Sequence, residues 1–117
     1  MRPENRIDYV EIPVSDPAKA RKFFTALFGW EFQEWGPDYL SFNDGRLDGG
    51  MYRAETPASS GSVLLVFYSE DLARDIKKVT DLGGTICKDI FEFPGGHRFH
   101  FRDTCGNEYA MWTEAKE

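Results

Sequence analysis

Glu11 and His100 are the side chains of this chain best suited to move a proton or fix a polar ligand. A carboxylate beside an imidazole can act as an acid–base pair or as a clamp for a polar group. The same sequence offers a plainer partner, because Arg98 and Arg102 flank His100 and either could satisfy Glu11 in a structural ion pair. His97 is the only other histidine. Three residues apart on a strand, His97 and His100 point to opposite faces, so they do not chelate one ion together. No Ser-His-Asp or Cys-His arrangement can be picked out by spacing. Cys87 and Cys105 lack the spacing of a metal knuckle or a redox pair and read as reduced, inert thiols. The pairs Gly49-Gly50, Gly83-Gly84 and Gly95-Gly96 do not have the spacing of a phosphate-cradling loop.

The elements that must position these residues occur twice. Tyr9–Phe32 runs strand, acidic turn, amphipathic helix, glycine, strand, and Val63–Ile86 repeats the plan. Asp16 and Asp71 open the two helices, and Gly29 and Gly84 each stand 13 residues later. Aspartate accepts from the free N–H groups of a first helical turn, and Pro17 suits the position after it. Ala20, Phe23, Phe24 and Leu27 form the buried stripe of the first helix, and Leu72, Ile76, Val79 and Leu82 that of the second. The expected helices are Pro17–Phe28 and Leu72–Leu82. In the first half, strands are expected at Tyr9–Val14, Trp30–Trp35, Tyr39–Phe42 and Leu47–Tyr52. In the second they are expected at Val63–Tyr68, Thr85–Lys88, Arg98–Arg102 and Glu108–Thr113, with Asp89–Gly96 as a loop. Pro13 lacks a backbone donor and places the first strand near an edge. Ala54–Ser62 reads as a linker. The fold class is therefore α+β: one domain over residues 1–117, with two βαβββ modules at about 6–53 and 62–114. A curved mixed sheet around a concave cleft is expected, and interfaces between such units favour pockets.

Strand parity sorts the side chains. Val10, Ile12, Val14, Phe99, Phe101, Tyr109 and Met111 are apolar and should serve the helix-facing core. Their neighbours then take the concave side: Tyr9, Glu11, Leu64, Val66, Tyr68, Arg98, His100, Arg102, Glu108, Ala110 and Trp112. Of these, Tyr9, Glu11, Tyr68, His100 and Trp112 are the candidate ligand-binding residues. The aromatics would enclose an organic molecule, and Glu11 with His100 or an arginine would orient it.

Composition narrows the partners. The chain has 117 residues, 41% of them hydrophobic, with ten Phe, five Tyr and three Trp. That suffices for one core with aromatic surplus for a pocket. A formal net charge of -6 disfavours nucleic acid. No apolar run is long enough to span a bilayer, and the opening residues Met1–Arg6 are polar, so a cytoplasmic location is expected.

The string Glu11–Phe24, followed by Leu27-Phe28-Gly29-Trp30-Glu31-Phe32, resembles the opening of the glyoxalase/bleomycin-resistance/extradiol-dioxygenase superfamily, the vicinal oxygen chelate fold. The closing string Phe101–Glu108 resembles that superfamily's terminal Asp-Pro-x-Gly-Asn turn, with Thr104 where proline is usual. The resemblance covers nearly the whole chain. It implies a homodimer, and a cleft that in the enzymes holds a divalent metal through a His on the first strand and a Glu on the last strand of each half. Carried across, those positions fall on Tyr9, Leu64, Ala110 and Gly50. None is a strong ligand, and a catalytic site of this type needs about three protein ligands. The expectation is a protein without metal or other cofactor that binds a small organic ligand. The competing reading is an enzyme of the lyase or dioxygenase type, using Glu11, His100 and Glu108 as non-standard metal ligands or Glu11 and His100 for proton transfer.

Overall fold

The computed structural model describes residues 3–57 and 62–115. The chain divides into two compact units, one up to Thr56 and one from Pro57 onward. Each is a βαβββ module. The first contains β1 (Tyr9–Val14), α1 (Pro17–Phe28), β2 (Glu31–Glu34), β3 (Tyr39–Asn43) and β4 (Asp48–Arg53). The second contains β5 (Leu65–Tyr68), α2 (Leu72–Asp81), β6 (Thr85–Phe93), β7 (Gly96–Arg102) and β8 (Glu108–Glu114). The sheets have equivalent orders, β1-β4-β3-β2 and β5-β8-β7-β6. In each, the first strand runs parallel to the last and the others pair antiparallel. Pro13 lies on β1, an edge strand, where its missing donor costs least.

Local chemistry places the helices. The Asp16 carboxylate accepts from the Lys19 N–H, and Asp71 accepts from the Arg74 N–H. Gly29 ends α1 with φ 75°, a left-handed conformation that glycine adopts without strain. Ala20, Phe23, Phe24 and Leu27 are buried as expected. In α2 the stripe is different: Leu72, Asp75 and Val79 are buried, while Ile76 and Leu82 are only half-buried. Asp75 can occupy that face because the Ser69 hydroxyl donates to it and Arg74 pairs with it at 3.2 Å.

The first module's core is an aromatic stack. Trp30 lies between Phe24 at 4.9 Å and Phe42 at 4.6 Å, nearly parallel to both. In the second module Phe101 stacks on Tyr109 at 5.3 Å, beside Phe99 and Met111.

Strand parity holds. Ile12 and Val14 are buried, whereas Tyr9 and Glu11 are exposed on the other side of β1. Phe99, Phe101, Tyr109 and Met111 are all buried.

The expected loop at Asp89–Gly96 is a misreading. β6 continues to Phe93, and only Pro94 and Gly95 turn the chain into β7. β6 also carries two register shifts against β7, between Ile86 and Lys88 and between Lys88 and Phe91. Each adds one residue to β6, and such bulges re-aim the side chains that follow. The expected linker falls partly outside the described residues, at 58–61.

Candidate functional site

The sheet face away from each helix carries the chemistry. In the first module, the register sets Glu11 opposite Gly50, Ser41 opposite Gly50 from the other side, and Tyr39 opposite Tyr52. Tyr39 donates to Glu11 Oε2 at 2.9 Å and shares a short hydrogen bond with the Tyr9 hydroxyl. Tyr39 donates to the carboxylate, so Tyr9 donates to Tyr39. This leaves the Tyr9 lone pairs and Glu11 Oε1 as outward acceptors. Desolvation raises the Tyr39 phenol well above its ordinary pKa, and the hydrogen bonds with Tyr9 and Glu11 add to the effect. Beside them Trp35 donates its indole N–H to the Ser41 hydroxyl at 2.9 Å. Tyr9, Trp35 and Tyr52 remain more than a third exposed. An open pocket of about 360 Å³ lies here, lined by Tyr9, Glu31, Gln33, Ser41, Asn43, Asp48 and others.

The Gly49-Gly50 pair makes this face possible. A Cβ at Gly49 would run into the Phe42 ring on the helix side. One at Gly50 would lie 2.5 Å from Tyr39 Cζ on the open side. Consecutive residues of a strand point to opposite faces. Two glycines in succession therefore admit an aromatic ring across β4 on each face.

The second module's face is built differently. His100 is on it, as parity requires, but it is 4% exposed. Its Nδ1 lies 2.9 Å from Glu108 Oε2, and its Nε2 lies 2.9 Å from Arg98 Nη2. Arginine can only donate, so Nε2 accepts and the ring proton sits on Nδ1, facing Glu108. Glu108 also pairs with Arg102 at 3.5 Å, and Arg102 donates to the Gly106 carbonyl. The guanidinium of Arg98 lies 5.6 Å from the Phe91 ring centroid and 5.7 Å from that of Phe93. Trp112 meets Tyr68 edge-on at 5.1 Å and Phe93 at 6.2 Å. Tyr68 is half-exposed and Trp112 partly so.

The structure therefore groups the candidates by module. Tyr9 and Glu11 share one face; Tyr68, His100 and Trp112 share the other. Within its own module Glu11 takes a hydrogen bond from Tyr39. His100 is held at both nitrogens, unlike a general base open to solvent. Sequence reasoning missed Tyr39, whose alternation with Leu40 in β3 could have found it. It also missed Phe91 and Phe93, hidden in the supposed loop.

Paired βαβββ modules with open sheet faces define a class of α+β proteins. Residues 6–111 match the Glyoxalase/Bleomycin resistance protein/Dioxygenase superfamily, and the chain belongs to it. A glyoxylase-like domain-containing protein of Didymella fabae is 28% identical over 120 residues, covering 92% of this chain and 93% of that one. Among solved structures, a glyoxalase/bleomycin resistance protein/dioxygenase family enzyme from Burkholderia phytofirmans aligns with TM-score 0.79 at 18% identity, covering 92% and 99% of the two chains. The fosfomycin resistance protein FosX of Listeria monocytogenes, a mutant complexed with Mn(II) and a dihydroxypropylphosphonic acid, aligns with TM-score 0.80 at 14% identity, covering 92% and 89%. At these identities the structural likeness concerns the fold.

The residues present do not fit the metal that the superfamily's enzymes use. Leu64 and Ala110 offer only hydrocarbon. The space for a side chain at Gly50 is taken by Tyr39. The Tyr9 hydroxyl gives its proton to Tyr39, and a neutral phenol is a poor substitute for an imidazole ligand. His100 and Glu108 bind each other, with Arg98 and Arg102 beside them repelling a dication. Among the described residues, no group of three or more His, Cys, Asp or Glu is set to hold a metal ion. No helix of the described residues is long and apolar enough to cross a membrane.

Proposed function

We propose that this protein binds a small organic ligand on the open faces of its sheets, without a metal ion. The observation that carries this reading is the substitution at the superfamily's metal positions: Tyr9, Leu64, Ala110 and Gly50 supply no ligand set, and a tyrosine fills the space at Gly50. In their place stand partly exposed aromatics, Tyr9, Trp35, Tyr68 and Trp112, interleaved with a few oriented polar groups. Aromatic walls with sparse, fixed hydrogen-bonding groups suit organic molecules. On the first module's face Glu11 and Tyr9 would accept hydrogen bonds from a ligand, and on the second module's face Tyr68 and Trp112 would stack against one.

The proposed state is a homodimer, because both sheets are open and leave β1, β2, β5 and β6 as edges. A net charge of -6 weighs against a nucleic-acid partner.

A thermal-shift screen of small organic compounds, run with added divalent metals and again with chelator, tests the function. A hit at a hundredfold excess over its dissociation constant stabilises the fold by about 2.7 kcal/mol. The expected hits raise Tm equally in both conditions. Hits that vanish on chelation contradict the reading and favour a metal-dependent enzyme.

A further inference from the structure

We propose that Arg98 is an anion-reading subsite, so that the ligand carries a carboxylate attached to an aromatic ring. The proposal rests on the ligand-binding reading above and specifies its chemistry. Arg98 is a cation without a counter-charge: among the described residues, no carboxylate lies within 4 Å of its guanidinium. The nearby carboxylate, Glu108, is taken by His100 at 2.9 Å and Arg102 at 3.5 Å. The group that Arg98 does touch, His100 Nε2, is a neutral acceptor reached by Nε at 3.2 Å and Nη2 at 2.9 Å.

The guanidinium is also fixed in place. His100 holds one edge, and the rings of Phe91 and Phe93 lie 5.6 and 5.7 Å from its carbon. A half-buried charge with no anion beside it is costly. A planar fork already immobilised loses little entropy when it takes up a carboxylate, and the contacts with His100 engage Nε and Nη2 but not Nη1. The aromatic requirement comes from the next strand. Trp112 sits directly across from Arg98 in the β7–β8 register, with Tyr68 edge-on to its ring. Trp112 and Tyr68 therefore share the face that carries Arg98, where they can pack against a ring attached to a carboxylate held by the guanidinium. The bulges in β6 belong to the same construction, since the second of them brings Phe91 opposite Arg98.

The probes are phenylacetate and its neutral isostere phenylacetamide, titrated into the full chain. The reporter is the Trp112 indole N–H signal in NMR, assigned by its loss in Trp112→Phe. Phenylacetate is expected to move that signal saturably, with an affinity about tenfold above the amide's, as a charge-assisted fork contact requires. Arg98→Gln should bring the acid down to the amide's level, and Arg98→Lys should fall between. Equal affinities for acid and amide in the unmodified protein overturn the anion subsite while leaving ligand binding intact; this comparison needs no variant to fold. A Trp112 signal moved by neither probe, in a chain that other compounds stabilise, also overturns the subsite. A chain that no compound stabilises overturns the ligand-binding reading itself.

Discussion

The two modules share a topology but use their open-face carboxylates in opposite ways. In the first, Glu11 is exposed, takes one hydrogen bond from Tyr39 and keeps an oxygen facing outward. In the second, Glu108 has a side chain 10% exposed and is divided between His100 and Arg102. The cations follow the same division. The second face carries Arg98 and Arg102, whereas the first is lined by tyrosine hydroxyls and Glu31, Asp48 and Glu11. The two modules thus bury a like helix-facing core but differ on the other face: one presents acceptors and the other braced cations. Packing fixes the core positions, whereas it leaves the open-face positions freer to differ.

The sharpest way to break this comparison is to remove each carboxylate in turn. Glu108→Ala strands a buried imidazole N–H and leaves Arg102 without its acid, and should cost about 3 kcal/mol. Glu11→Gln should change stability by no more than about 0.5 kcal/mol, while weakening any cationic ligand. Urea unfolding of the two variants checks this, and equal losses would erase the distinction.

Alkaline titration sharpens it further. The Tyr39 phenol is raised well above its ordinary value by desolvation, then by its bonds to Tyr9 and Glu11. Tyr109 is raised by burial and by the Asp103 carboxylate, which accepts from it at 2.6 Å. A pKa raised by folding means that the native state holds its proton where the unfolded chain has lost it. The stabilisation is complete below about pH 10, the unfolded value. It is lost as the pH rises from there through the folded values. Ultraviolet absorbance should show two of the five tyrosines ionising late, one in each module. Gly50→Ala should push Tyr39 off Glu11 and return one of the two to the ordinary range. Unchanged late ionisation in that variant would contradict the role given to Gly50.

The smallest expected effect is on binding. Trp112→Ala should weaken an aromatic ligand by about 0.5–1.5 kcal/mol beyond the area lost, with little change in Tm. Calorimetric titration with the best screening hit measures it. Unchanged affinity would mean that the second face takes no part.

Both helices were legible in the sequence because their start and stop signals are local: Asp16 with Pro17, Asp71, and the glycines that follow each helix. Parity was legible on β1 and β7 because apolar residues alternate there, and on β8 from the large Tyr109 and Met111 two residues apart. β6 was not, because Asp89 and Pro94-Gly95-Gly96 look like loop chemistry and its bulges disrupt the alternation. Phe91 and Phe93 went unseen for that reason. The burial of His100 was equally hidden, since parity gives a side chain's face but not what packs over it. Gly49-Gly50 had no local explanation, because the rings it admits come from Tyr39 and Phe42 on the neighbouring strand.

The proposed function places an organic binding surface where the superfamily's enzymes hold a metal. Elemental analysis of protein purified without chelator, followed by calorimetric titration with manganese, zinc, nickel and iron, tests it most directly. Trace metal well below stoichiometry and no saturable binding are expected. Near one metal per chain, with anomalous scattering beside Tyr9 and Ala110, would contradict it.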